Sequence, residues 1–254
     1  MTSKRKDQIR ALLKGIETGD AAAAEVVNPD KYIQHNPQTH EGSEGLAALF
    51  RRLSKSNPRV NIVRAFEDGD YVFGHTEYEF ANSKIGFEVF RFEDNLVVEH
   101  WDNIQQRQGP NPSGHSMVDG PTEPTDLART ESNRELVRSF IDDVLINGRL
   151  QNLEQFIDDE RYTEHSPRNA DGLPALRSVL EAASDKGRTI HYDRIHRALA
   201  EGDFVLVVSE GGLGGVHSSF YDLFRVAAGR IVEHWGTTES IPPRSEWKND
   251  NGKF

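Results

Sequence analysis

Apolar side chains at Ile9, Leu12, Leu13 and Ile16 of "SKRKDQIRALLKGIETG" recur at helical spacing, and Gly19 closes the run. "DAAAAEVV" at 20–27 predicts a second, short helix and "SEGLAALFRRLSKS" at 43–56 a third. After Pro58 the pattern changes to alternation. "RVNIVRAFEDG", "DYVFGHTEYEF", "IGFEVFRFEDN" and "LVVEHWDNI" predict four strands joined by tight turns such as Glu-Asp-Gly-Asp and Glu-Asp-Asn. The later half repeats the order. "NRELVRSFIDDVLING", "NLEQFID" and "GLPALRSVLEAAS" predict helices, and strands begin near 189, 203, 217 and 230. Helices first and an antiparallel sheet after define an α+β class, with helices on one face of a curved sheet. A strongly bent sheet closed by helices makes a cone with an interior.

The two halves also share wording. "YIQHNP" at 32–37 faces "YTEHSP" at 162–167, and "EDGDYVFG" at 67–74 faces "AEGDFVLV" at 200–207. "FEVFRFEDNLVVEHW" at 87–101 faces "YDLFRVAAGRIVEHW" at 221–235. A tandem duplication of one domain follows. The expected division is a first domain at 1–108, a linker at 109–127 rich in Pro, Gly and polar residues, and a second domain at 128–254 with a degenerate site. The phrase Glu-His-Trp is common to both halves, but Asp102 follows it in the first and Gly236 in the second.

Composition narrows the functions. The chain has 254 residues and no cysteine, which excludes disulfides, thiolate nucleophiles and Cys-based metal sites. A net charge of −11 argues against nucleic-acid binding, which needs clustered Lys and Arg to neutralise phosphate. No apolar run approaches membrane-spanning length, and the basic N-terminus lacks the apolar stretch of a signal peptide. A cytoplasmic protein that meets a small molecule, and neither nucleic acid nor membrane, is expected.

The candidate chemistry lies on the first set of strands. Side chains alternate faces, so His100 and Asp102 point one way while Glu99 and Trp101 point the other. Glu88 shares a face with Phe90 and Phe92, and His75 shares one with Phe73 and Glu77. His35 sits at an expected pocket rim. Asp102, His100, His35 and His75 are the candidate catalytic set; Glu88, Phe73, Tyr78, Phe90 and Phe92 are the candidate substrate-binding set. A carboxylate among apolar walls has its charged form disfavoured, which moves it toward general acid–base work. Trp101 and Trp235 read as packing residues, and Glu99 and Glu233 as solvent-facing charges. A metal cage of three histidines and an Asp ranks lower, because no compact ligand spacing links them, so no metal and no cofactor is expected.

"KYIQHNP…EGSEGLAALF", a Gly-Asp strand turn followed by "YVFGH", and "FRFEDNLVVEHWD" resemble the SnoaL-like polyketide cyclase family of the nuclear-transport-factor-2-like superfamily. The resemblance covers 1–106, and 130–240 with weaker motifs. It implies a cavity and, in the polyketide cyclases, ring closure by intramolecular aldol condensation with an Asp as acid–base residue. Asp102 matches that Asp, His100 its strand companion and His35 the early pocket histidine, while His75 falls where relatives often carry His. The second copy keeps His165, Asp222 and His234, but Gly236 replaces the acid and Val208 stands opposite His75. Glu210 or Asp222 is the alternative acid there. Relatives commonly dimerise, so the fused copy is expected to act as an internal pseudo-dimer partner, with a homo-oligomer as a further option.

The leading expectation is thus a cofactor-free enzyme acting beside a carbonyl of an apolar small molecule: an aldol-type cyclase, isomerase or lyase. The alternative is a non-catalytic small-ligand-binding or scaffold protein.

Overall fold

A computed structural model describes residues 3–184 and 187–254 of the chain. It comprises two compact units, Met1–Arg107 with Ile241–Phe254, and Gln108–Ser240. Each is α+β and carries one five-stranded sheet. The stretch at 109–127 lies in the second unit, where Thr125 N–H donates to Asp203 Oδ1 at 2.6 Å. The last residues, from Ile241 on, lie in the first unit.

In the first unit, α1 (Lys4–Thr18) is capped by the Ser3 hydroxyl, which accepts from Arg5 N–H, and ends at Gly19 in the left-handed region (φ 70°). A short 3₁₀ helix at Ala21–Val26 and α2 (Gly42–Leu53) complete the helical layer. The strands are β1 (Ile33–Gln34), β2 (Arg59–Asp68), β3 (Tyr71–Glu79), β4 (Ser83–Glu93) and β5 (Leu96–Gln106), in the sheet order β1-β5-β4-β3-β2. Asp94 and Asn95 turn β4 into β5, both with positive φ (49° and 65°), the conformation of a two-residue hairpin turn. Strand β1 was not foreseen. "YIQHNP" pairs in parallel with β5, Gln34 opposite His100, so the stretch read as a pocket rim is a sheet edge.

The second unit repeats this with α3 (Thr130–Phe140, continued by a wider turn to Ile146), α4 (Leu153–Phe156) and α5 (Leu173–Glu181). Its sheet orders β6 (Thr163–Glu164), β12 (Arg230–Ser240), β11 (Val216–Ala227), β10 (Phe204–Leu213) and β9 (Ile190–Glu201). Before β9, the short strands β7 (Ala183–Ser184) and β8 (Gly187–Arg188) pair antiparallel.

Bulges at matching places bend both sheets, between Arg91 and Phe92 in the first and between Arg225 and Val226 in the second. The first bulge inserts Val98 and resets the alternation of β5. Val97, His100 and Asp102 thereby share the face turned to the helices, while Glu99 and Trp101 take the other. That inner face carries the core. Leu12, Leu13 and Ile16 of α1 and Leu46 and Phe50 of α2 pack on Val60, Val72, Phe90, Phe92 and Val97. Each such side chain contributes about 1.5–3 kcal/mol on burial. No described helix is long and apolar enough to cross a membrane.

Candidate active site

Where α1 and α2 diverge from the sheet, a cavity of about 190 Å³ opens between Leu12, Leu49 and Leu53 on the helical side and Phe90 and Ile104 on the sheet. Gly74 lies opposite Glu88 on β3, and Gly86 lies two residues before it on β4. Neither inward-facing glycine carries a side chain that would fill the space beside the carboxylate. Leu, Ile and Phe side chains form much of the wall, Gln38, Thr39, Arg52 and Lys84 add polar groups to it, and Glu88, His100 and Asp102 meet within it. Their ligating atoms all fall within 4.8 Å of one another, and all three residues are buried.

Cross-strand pairing brings them together: Glu88 on β4 faces Asp102 on β5. Tyr78 donates its hydroxyl proton to Glu88 Oε1, and Glu88 Oε2 lies 2.6 Å from His100 Nε2. His100 Nδ1 donates to Gln34 Oε1 at 3.1 Å. That oxygen also accepts from the backbone N–H of Asn36 at 2.8 Å, which fixes the orientation of the amide. The Nδ1 proton is therefore held in place, and the other ring nitrogen shares a proton with Glu88. Burial, the largest influence, pushes the Glu88 carboxyl above its ordinary value; the Asp102 charge adds to this and His100 opposes it.

Asp102 is 5% exposed. Its Oδ2 accepts from Asn36 Nδ2 at 2.7 Å, and its Oδ1 faces the Lys253 ammonium at 3.5 Å. Of the four carboxylate oxygens in the group, Asp102 Oδ1 has the longest contact. The Tyr32 hydroxyl also lines the cavity and accepts from Gln34 Nε2 at 3.5 Å. Burial, followed by the charges of Glu88 and Asp102, pushes that phenol far up, so it remains a neutral donor. Glu88, His100 and Asp102 are the described residues able to gather around a cation, but the Lys253 ammonium already supplies a positive charge at Asp102.

The remaining candidates from sequence divide between the cavity and other places. Tyr78 and Phe90 line the cavity; Phe92 is buried in the core beneath it. Phe73 and His75 occupy the opposite face of β3, because His75 pairs with Phe87 whereas Gly74 pairs with Glu88. His75 stacks on Phe87 at 4.4 Å and its Nδ1 contacts Arg64 at 3.2 Å. His35 also turns to the outer face. It stacks on Trp101 at 4.7 Å and places Nε2 2.9 Å from Glu99 Oε1. The cage of three histidines with an Asp is therefore not assembled. Glu99 is not a free surface charge either, since Arg91 Nε donates to its other oxygen at 2.7 Å. Burial pushes its carboxyl up, yet the hydrogen bonds of His35 and Arg91 outweigh this and hold it below the usual range.

The second unit explains the repeated phrase. His165 stacks on Trp235 at 4.6 Å and meets Glu233 at 2.9 Å, and Arg225 meets Glu233 at 2.7 Å. In each copy the Glu and the Trp hold a histidine on the outer face, while the His between them, His100 or His234, points inward. The inward clusters differ. Gln34 is replaced by Glu164, so His234 lies between Glu164 Oε1 at 2.9 Å and Asp222 Oδ1 at 3.0 Å. A Cβ on Gly236 would come within 3.1 Å of Asp222 Oδ1 and 3.2 Å of His234, so a side chain there would require those neighbours to give way by a few tenths of an ångström. The second buried acid has moved from the closing strand to the edge strand. Tyr192 donates to Asp222 Oδ2 at 3.1 Å. Glu210 lies on the other face of β10, bound to His196, His217 and Arg194. Burial opposes its charge, but those partners hold its carboxyl down at about 2.

Burial disfavours a charge on His234, but Glu164 and Asp222 outweigh it and raise the imidazole from 6.5 to about 10. His234 is accordingly expected to stay doubly protonated at pH 8, seen in side-chain ¹⁵N spectra as a signal absent from His234→Gln. A neutral tautomer at that pH would contradict the arrangement. The folded value exceeds the unfolded one, so this group's stabilisation is complete below 6.5 and declines as pH rises to about 10.

Gln34, Tyr32, Asn36 and Lys253 were not among the sequence candidates. The signal for the first two was the alternation in "YIQHNP", where Tyr32 and Gln34 share a parity opposite to His35. Lys253 had no signal.

The SnoaL-like domain family model matches residues 9–100 and again 137–234, so the chain belongs to the SnoaL-like family as a tandem repeat. No curated protein matches it. Among solved structures it is similar to TsrD from Streptomyces laurentii, at 19% identity over 41% of this chain and 92% of that one, TM-score 0.36. It is similar also to IdmH, a putative polyketide cyclase from Streptomyces antibioticus, at 18% identity over 41% and 93%, TM-score 0.36. A third is an LEH-like epoxide hydrolase from M. tuberculosis, at 18% over 40% and 82%, TM-score 0.35.

Proposed function

We propose that the first unit is a cofactor-free enzyme that moves a proton next to a carbonyl of a small, largely apolar molecule, as an aldol-type cyclase, isomerase or lyase does. The observation that carries this reading is the gathering of buried Asp102, Glu88 and His100 in a cavity walled largely by Leu, Ile and Phe side chains. Asp102 Oδ1 takes the α-proton, and the neutral Tyr32 hydroxyl donates to the oxygen that becomes an enolate. The proton shared by Glu88 and His100 lets the cavity tolerate that charge, because the pair is neutral in sum. Asp102 then returns the proton to carbon or oxygen, and no electrons leave the substrate.

His35 and His75, expected in the catalytic set, hold the sheet's outer face in this reading and do not touch the substrate. The second unit is non-catalytic, since His234 is held as a cation between two acids and cannot trade its proton near neutral pH.

Incubation with small cyclic ketones and 1,3-dicarbonyl compounds in D₂O tests the proposal by ¹H NMR. A ketone that binds is expected to exchange its α-protons faster than buffer allows. Tight binding without exchange would overturn the enzymatic reading and leave the rival one, a cone that stores an apolar ligand.

A further inference from the structure

The last residues of the chain close over the edge strand beside the cavity. Lys248 N–H donates to Pro37 O at 2.8 Å, and Asn249 Nδ2 donates to Asn36 O at 2.8 Å and Thr39 O at 2.9 Å. Asn251 Nδ2 donates to Gln34 O at 3.1 Å and to Glu41 Oε2 at 2.7 Å, and Gly252 O lies 3.0 Å from His35 Nδ1. These contacts fix Lys248, Asn249, Asn251 and Gly252 against the segment that supplies Gln34 and Asn36. They deliver Lys253, which is 3% exposed, to Asp102 Oδ1.

Burying an ammonium is costly unless it meets an opposite charge. The enclosure of Lys253 beside a carboxylate meets that requirement, and the network above holds it there. The groups facing Asp102 are Glu88 across the strands, His100 two residues before it, Asn36 on its other oxygen and Lys253. Among the described residues, Lys253 is the full cation placed against that carboxylate.

We propose that Lys253 is a positioning residue of the first unit's site, aiming Asp102 Oδ1 at the cavity and balancing its charge, so that the site is complete only when the C-terminal segment is docked. This rests on the acid–base reading of Asp102 given above. The contact at 3.5 Å is long enough for the oxygen to accept a substrate proton while the cation remains near. The segment therefore brings residues far apart in sequence into one site.

Lys253→Met, Lys253→Arg and a chain ending at Ser245 test it with the ketone-exchange assay and ligand affinity measured together. Lys253→Met is expected to lower the exchange rate at saturating ketone by roughly tenfold or more with affinity changed less than about threefold, and Lys253→Arg to recover most of it. The shortened chain, which lacks the whole latch, is expected to lose as much as Lys253→Met. A crystal structure of Lys253→Met supplies the readout that needs no turnover: Asp102 is expected to leave its cavity-facing rotamer. If Asp102 keeps its position and exchange is unchanged in Lys253→Met, the proposal is overturned. If wild type shows no exchange with any ketone, the Asp102 rotamer alone still decides whether Lys253 positions it.

Discussion

Asp102→Asn is expected to slow α-proton exchange by roughly two to four orders of magnitude while cavity ligands bind with affinity changed less than about threefold. A carboxamide matches the carboxylate in shape but has no oxygen able to take a proton at neutral pH. The size of the loss follows from the role given to Oδ1, which moves a proton in the transition state and is not merely a contact to bound substrate. One local cost is visible. The carboxylate accepts from Asn36 on one oxygen and faces Lys253 with the other, and an amide offers one acceptor. A thermal melt therefore accompanies the kinetics. A fold kept within a few degrees with exchange lost locates the effect in chemistry, whereas unchanged exchange refutes Asp102 as the base.

The second large effect is expected from Gln34→Glu, which rebuilds the second unit's arrangement in the first. A carboxylate fits this position, because Glu164 occupies the equivalent one and accepts from Tyr162 and from the backbone N–H of Ser166. His100 would then lie between two acids as His234 does, and be held as a cation. Gln34, His100 and Glu88 together carry no net charge in the wild type. The variant adds one negative charge beside the enolate that must form. At roughly 5 Å and an effective dielectric near 20 this costs about 3 kcal/mol, or roughly a hundredfold in rate. The exchange assay on Gln34→Glu measures this. Wild-type exchange in that variant would remove the shared proton of Glu88 and His100 from the mechanism. Glu164→Gln, in the unit read as non-catalytic, is expected to leave exchange unchanged and to let His234 lose its proton at a lower pH than in the wild type, with Asp222 still beside it.

The duplicated α+β plan was legible because periodicity and paired phrases survive in both halves. The site was legible only in part. Alternation within "LVVEHWDNI" correctly separates His100 and Asp102 from Glu99 and Trp101. Alternation within "YVFGHTEYEF" cannot say which face of β3 meets the inner face of β4, and the observed register sends His75 outward. His35 was misjudged for a different reason: its parity opposite to Tyr32 and Gln34 can be read, but nothing in so short a stretch marks it as a strand. The moved acid was also visible, as Gln34 against Glu164, but it carries meaning only once β1 and β6 are known to run beside His100 and His234. Lys253 is beyond any local pattern, since it reaches Asp102 across 151 residues of sequence.

The most direct measurement is a crystal structure with a phenol bound as an enolate mimic. The phenol oxygen is expected within hydrogen-bond reach of the Tyr32 hydroxyl, with the ring against Phe90 and its edge at Asp102 Oδ1. A phenol that occupies the cavity with its oxygen turned away from Tyr32 and Asp102, or that binds only outside it, would contradict the assignment.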